Sequence, residues 1–182
     1  MATSSYTTTQ YTSEQFVESC GAILFDVHNS TVCLIYYHAK NEWILAKGRR
    51  NCNESRHDAA LRELREETGY QAHLHPVMMQ TRAPPMDEQQ HTPDQPRAFP
   101  DLVEPFMMTL RQLGGDGERD IKLIWWFIAA LDDAGIASSD PGGEEGFTPK
   151  FFRLPEAMQK LTFQNDRDVL ERAIALVEPD LS

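Results

Sequence analysis

The sequence predicts an α/β (α+β) fold in which a mixed β-sheet is held between helices. Three observations carry this. β-prone runs recur along the chain, with Thr31 to Tyr37 and Ile121 to Leu131 the clearest. One helical pattern, Ser55 to Gly69, interrupts them early. A second stands at the end, where Val169, Leu170, Ala173, Ile174 and Val177 fall at helical spacing. A chain of 182 residues is most simply one domain with a real core.

The elements follow in order. The Ser/Thr-rich segment 1–15 reads as a polar, disordered tail, and 16–182 as the single domain. Ser19 to Val27 and Thr31 to Tyr37 read as strands around a His28-Asn29-Ser30 turn. Glu42 to Lys47 reads as a short third strand leading to Gly48. Ser55 is placed to cap the first helix, with Asp58 three residues on as its capping-box partner. Gly69, free to adopt the left-handed conformation, ends that helix. Ala72 to Met79 is the next strand. The stretch 81–120 is rich in Pro and Gly and reads as an insertion. Its proline-rich part is excluded from any central strand, and Val103 to Leu113 returns as a strand. After Ile121 to Leu131 comes a Gly-rich loop to Phe147, then a short strand, Lys150 to Leu154. Pro155 opens a short helix, and Asn165 or Asp166 is placed to cap the last one.

Composition narrows the function classes. The net charge of −11 excludes the basic footprint of non-specific nucleic-acid binding, but not a local basic pocket for a phosphate-rich ligand. No apolar run approaches the roughly 20 residues of a membrane span. No signal-peptide pattern opens the chain. With Cys20, Cys33 and Cys52 odd in number and widely spaced, a reducing compartment is expected, cytoplasmic or nuclear. The six histidines show no metal-ligand spacing. Oligomeric state is left open by these residues.

The segment Gly48 to Tyr70, GRRNCNESRHDAALRELREETGY, carries the chemistry. Glu63, Glu66 and Glu67 share one helical face at i, i+3, i+4, where like charges cost helix stability. Ala60, Leu61 and Leu64 form an adjacent apolar stripe that buries against a core. A helix that gathers acids on one side and packs on the other calls for a compensating cation. Oxygen ligands at this density suit Mg²⁺ or Mn²⁺.

This segment resembles the signature of the Nudix hydrolases. That pattern is Gly, five residues, Glu, seven residues, Arg-Glu, an aliphatic, one residue, Glu-Glu, one residue, Gly and an aliphatic. Gly48, Glu54, Arg62-Glu63-Leu64, Glu66-Glu67 and Gly69 occupy its fixed positions, and Tyr70 stands where an aliphatic is usual. The resemblance implies an α/β/α sandwich and metal-dependent hydrolysis of a diphosphate. It implies Glu63, Glu66 and Glu67 as metal ligands, with a tight turn at Gly48 letting a backbone carbonyl face the cation. It also implies that Arg62 fixes the acidic cluster by a planar, two-pronged contact. Glu54 either hydrogen-bonds the loop or approaches a metal. The general base is one of Glu144, Glu145 or Glu66.

Lys47, Arg49 and Arg50 form a basic cluster suited to further phosphates or to solvent. Trp43, Trp125 and Trp126 stack on a base or fill the core, and alternation sends Trp125 and Trp126 to opposite faces. The expected substrate is small and phosphorylated, of the nucleoside diphosphate-X type. Dinucleoside polyphosphates and diphosphoinositol polyphosphates are favoured; sugar nucleotides and oxidised nucleotides stay open. A stacking aromatic would favour the nucleotide, and extra cations in the cleft the inositol compound. The contrasting readings are a catalytically silent ligand- or partner-binding module and an isomerase on the same fold.

Overall fold

A computed structural model describes residues 5–85, 93–114, 120–132 and 143–181. Parts of the predicted tail, of the 81–120 insertion and of the loop before Phe147 therefore lie outside the described residues. The strands are β1 (Phe16–Asp26), β2 (Thr31–Tyr37), β3 (Glu42–Ile44), β4 (Lys47–Arg49), β5 (Ala72–Leu74), β6 (Val77–Thr81), β7 (Arg97–Leu102), β8 (Met107–Gln112), β9 (Ile121–Leu131) and β10 (Phe147–Arg153). The helices are α1 (Arg56–Thr68), α2 (Leu154–Lys160) and α3 (Gln164–Val177).

Eight strands form one mixed sheet with the path β10-β2-β1-β9-β5. β3 pairs with β2, β4 with β1 and β8 with β9. β1 and β9 run parallel over their whole length, from Phe16 beside Ile121 to Phe25 beside Ala130. The other pairings are antiparallel. β1 therefore makes the centre of the sheet, which its nearly continuous burial from Ser19 to Phe25 reflects.

Strand alternation divides β1 between two cores. Cys20, Ala22 and Leu24 pack with Phe127 and Ala129 against Ala59, Ala60 and Leu64 of α1. Ile23 and Phe25 pack with Trp126 and Ile128 against Leu170, Ala173 and Val177 of α3. The sheet is thus sandwiched, with α1 on one face and α2 and α3 on the other. No helix among the described residues is long and apolar enough to cross a membrane.

Several elements differ from the sequence-based expectation. Glu42 to Lys47 divides into β3 and β4, because Leu45 and Ala46 leave β2 and carry the chain across to β1. Ala72 to Met79 divides at Pro76, which lacks the N–H a ladder needs. The proline-rich insertion contributes β7, with Pro100 inside it. β7 pairs only with β6, so that proline stays out of a central strand. The last helix starts at Gln164, before the expected caps, and Phe163 at its N-cap supplies no side-chain bond. Asp166 is instead buried in its first turn.

Candidate functional site

The site is built on β4, α1 and the turn between them. Ser55 caps α1 by accepting the Asp58 N–H at 3.1 Å, and its hydroxyl donates to Asp58 Oδ2 at 2.6 Å. Gly69 ends α1 with φ of 74°, its N–H bonded to the Arg65 carbonyl. Tyr70, the departure from the usual aliphatic, packs edge-on to Phe151 with ring centroids 5.3 Å apart.

α1 packs through Ala59, Ala60 and Leu64, which leaves its acids along one flank. Arg62 organises them. Its guanidinium bonds both oxygens of Glu54, at 2.7 and 3.0 Å. It also reaches Glu63 Oε1 at 2.7 Å, Glu66 Oε2 at 2.8 Å and the Arg49 carbonyl at 2.9 Å. All this uses the planar fork that lysine lacks. The hydrogen bonds from Arg62 hold the Glu54 carboxyl down at about 2. Glu54 also accepts the Asn51 N–H at 2.8 Å, so it ties the loop to α1.

Glu67 behaves differently. It is 7% exposed and accepts the Lys47 N–H at 2.9 Å. Burial pushes its carboxyl up to about 7, against that hydrogen bond and the Lys47 charge. Gly48 makes room for the cluster in another way. Its φ is not in the left-handed region, and it lies within β4 rather than in a turn. A Cβ there would overlap the Glu63 carboxylate. Glycine is needed for close approach, not for an unusual backbone.

These bonds leave Glu63 Oε2, Glu66 Oε1 and Glu67 Oε1 without a protein donor among the described residues. Three carboxylates with a spare oxygen each, one of them buried at a desolvation cost, fit a hard divalent cation. Among the described residues, no three His, Cys, Asp or Glu side chains converge as a finished cage. Arg62 holds one oxygen of Glu63 and one of Glu66 on its own Nη1.

The later loop meets the end of α1. The Glu144 N–H donates to the Glu66 carbonyl at 2.8 Å. A Cβ on Gly143 would come within 2.8 Å of the Glu67 carbonyl oxygen, so the loop lies tight on the helix. The charge of Glu144 is one of the influences that raise Glu67. Glu145 is exposed, and no side-chain contact ties it to the cluster among the described residues.

The basic cluster separates. Arg50 turns to Glu18, with Nε and Nη2 both 2.9 Å from Oε2, and donates to the Glu54 carbonyl at 2.8 Å. Glu18 also accepts Arg56 at 2.6 Å and the Trp125 indole at 2.8 Å, and Arg56 lies 4.0 Å over the Trp125 ring. Burial pushes Glu18 up, but these donors hold it below the usual carboxylate range. Arg50 and Trp125 therefore brace the start of α1. Glu18→Ala is expected to cost about 1–2 kcal/mol, because it removes the shared acceptor of Arg50, Arg56 and the Trp125 indole; a urea midpoint measures it. Trp126 faces the α3 side, 1% exposed, its indole bonded to Thr109 at 3.0 Å. Trp43 packs edge-on to Phe152.

Beside Glu67 opens a cleft of about 330 Å³. Lys47 and Arg111 line it with cationic heads, and Tyr37, Phe147 and Phe163 with rings. Tyr37 and Phe147 stack at 5.0 Å between centroids, and Phe163 is 43% exposed. Asp166, 3% exposed, approaches Arg111 at 3.9 Å. Of these residues only Lys47 was legible as a site residue in the sequence. The others come from β2, β8, β10 and the start of α3, and no local pattern marks them.

The model of the NUDIX domain family matches residues 16–173. No curated protein matches the chain. Solved structures share the fold at low identity. A dihydroneopterin triphosphate pyrophosphohydrolase of E. coli is 13% identical, with a TM-score of 0.55, covering 87% of this chain and 94% of that one. A C. elegans Ap4A hydrolase in a binary complex is 14% identical, with a TM-score of 0.56, covering 87% and 96%. A NUDIX hydrolase of Nitrosomonas europaea is 13% identical, with a TM-score of 0.56, covering 87% and 88%.

Proposed function

The chain belongs to the Nudix hydrolase family, and from that premise we propose that it cleaves a phosphoanhydride bond in a nucleoside diphosphate-X type substrate. The observation that carries this reading is the trio of uncommitted oxygens on Glu63, Glu66 and Glu67, the last of which lines the cleft. These three side chains, with the Gly48 carbonyl, hold Mg²⁺ or Mn²⁺ in this reading. The bound cation supplies charge neutralisation of the diphosphate and a more acidic water.

The chain's own residues do the rest. Arg62 holds Glu63 and Glu66 by one oxygen each and leaves the other oxygen of each for the cation. Glu54 locks Arg62 and so acts as a positioning residue. Glu144 is the favoured general base, because its backbone is anchored on α1 beside the acids. Glu66 is the alternative; Glu145 has no such anchor. Lys47 and Arg49 meet the substrate's phosphates. The stacked Tyr37 and Phe147 favour a flat ring in the cleft, and so a dinucleoside polyphosphate. The cations Lys47 and Arg111 on the same wall support the second reading, a diphosphoinositol polyphosphate.

The test is Mg²⁺-dependent product formation across a panel of both compound classes, with Glu66→Gln as control. Turnover that needs the metal and Glu66, greatest on a dinucleoside polyphosphate, is the expected result. Metal binding without turnover on any member would favour a silent binding module. Metal-dependent conversion without release of a phosphate product would favour an isomerase.

A further inference from the structure

The register of β8 on β9 sets Arg111 directly opposite Lys122. Residues opposed in an antiparallel pair point to the same face, and like charges there are destabilising. Lys122 has the parity of Trp126 along β9, so it lies on the face away from α1. A Cβ on Gly21 would meet both Trp126 and Lys47, which puts the Lys47 stem on that face too. Arg49, two residues on in β4, shares it. Four cations from β4, β8 and β9 thus gather on one sheet face, and two of them, Lys47 and Arg111, line the cleft.

Their neutralisation is incomplete. Asp166 approaches Arg111 at 3.9 Å. Lys47, Arg49 and Lys122 have no ion-pair partner among the described residues. Lys122 is nevertheless half-buried. On the same face, between β4 and β9, Ser19 is fully buried, and its Oγ has no hydrogen-bond partner among the described residues. A half-buried, unpaired lysine opposite an arginine, with an orphan hydroxyl in the adjoining row, costs stability and calls for an anion.

We propose that Arg111 and Lys122 form an anion subsite, continuous with Lys47 and Arg49, that binds phosphate groups of the substrate beyond the anhydride under attack. The inference rests on the hydrolase reading and extends it: the substrate carries at least one phosphate more than a simple diphosphate. The ring-lined part of the cleft and this cationic face then take the two ends of one molecule.

The probe is inorganic tripolyphosphate, titrated calorimetrically into the full chain with a chelator present, so that no metal contributes. Wild type is expected to bind it, with affinity falling as salt screens the cations. Lys122→Met and Arg111→Gln should each weaken binding by about tenfold, the loss of one charge-assisted contact. Lys122→Met should also melt at a higher temperature, because it removes the opposed charge. A residue with only a structural role would not gain stability while losing affinity. Failure of wild type to bind, or equal affinity in wild type and both variants, overturns the proposal. Glu66→Gln separates the two readings. Tripolyphosphate binding that survives in it and is lost in Lys122→Met supports the subsite whether or not wild type turns over any substrate. Lack of turnover by wild type would count against the hydrolase reading alone.

Discussion

Gly48→Ala is expected to lower turnover by roughly 10²-fold while leaving the fold almost as stable as wild type. The new Cβ falls on the Glu63 carboxylate. That carboxylate is the far end of a flexible side chain, so it swings aside rather than break β4. The backbone at Gly48 has no positive φ, so alanine meets no strain there. The expected stability cost is about 1 kcal/mol, within the usual range for one substitution. What is lost is position: the Glu63 carboxylate is displaced from its place against Gly48 and Arg62. Steady-state kinetics at saturating Mg²⁺, paired with a melting curve, reads both effects. Normal turnover in a well-folded Gly48→Ala protein would remove Glu63 from the proposed ligand set. Unfolding would show that this contact holds the sheet together.

Glu67→Gln is expected to reduce turnover on the order of 10²–10³-fold and yet stabilise the metal-free protein. Burial raises the Glu67 carboxyl to about 7, well above its ordinary 4.5. The folded state therefore binds this proton more tightly than the unfolded state does. Between pH 4.5 and 7 the folded protein holds the extra proton, so stability falls as pH rises through that window. Above about pH 7 the full penalty of a buried carboxylate remains. Glutamine keeps the acceptor for the Lys47 N–H and carries no charge. The variant should match wild type near pH 4 and exceed it by roughly 1–3 kcal/mol at pH 8. Urea unfolding in chelator at the two pH values measures this. A variant less stable than wild type at pH 8 would show that Glu67 stabilises the metal-free fold as an anion.

Both predictions concern the same acidic cluster. The acidic flank of α1 costs the fold free energy without a cation, and Arg62 offsets only part of that cost. Glu67, which Arg62 does not reach, carries the largest unpaired burden.

The sequence alone determined the sandwich, α1 with its caps, and the spacing of Gly48, Arg62, Glu63, Glu66 and Glu67. These are local matters: periodicity sets which face of a helix is apolar, and a motif places its own residues within a few turns. Tertiary structure decided the rest. Arg50 reads as a partner of Lys47 and Arg49, but its side chain goes to Glu18, a residue of another strand. Gly48 reads as a turn residue, but its need for glycine comes from a carboxylate on the facing helix. Tyr37, Phe147, Arg111 and Lys122 carry no motif and lie far apart in the chain. Only the pairing of β2 with β10 brings Tyr37 beside Phe147, and only that of β8 with β9 sets Arg111 opposite Lys122. Strand register is fixed by the whole buried face rather than by neighbouring residues, and so a ligand-binding wall assembled across strands is invisible until the sheet has formed.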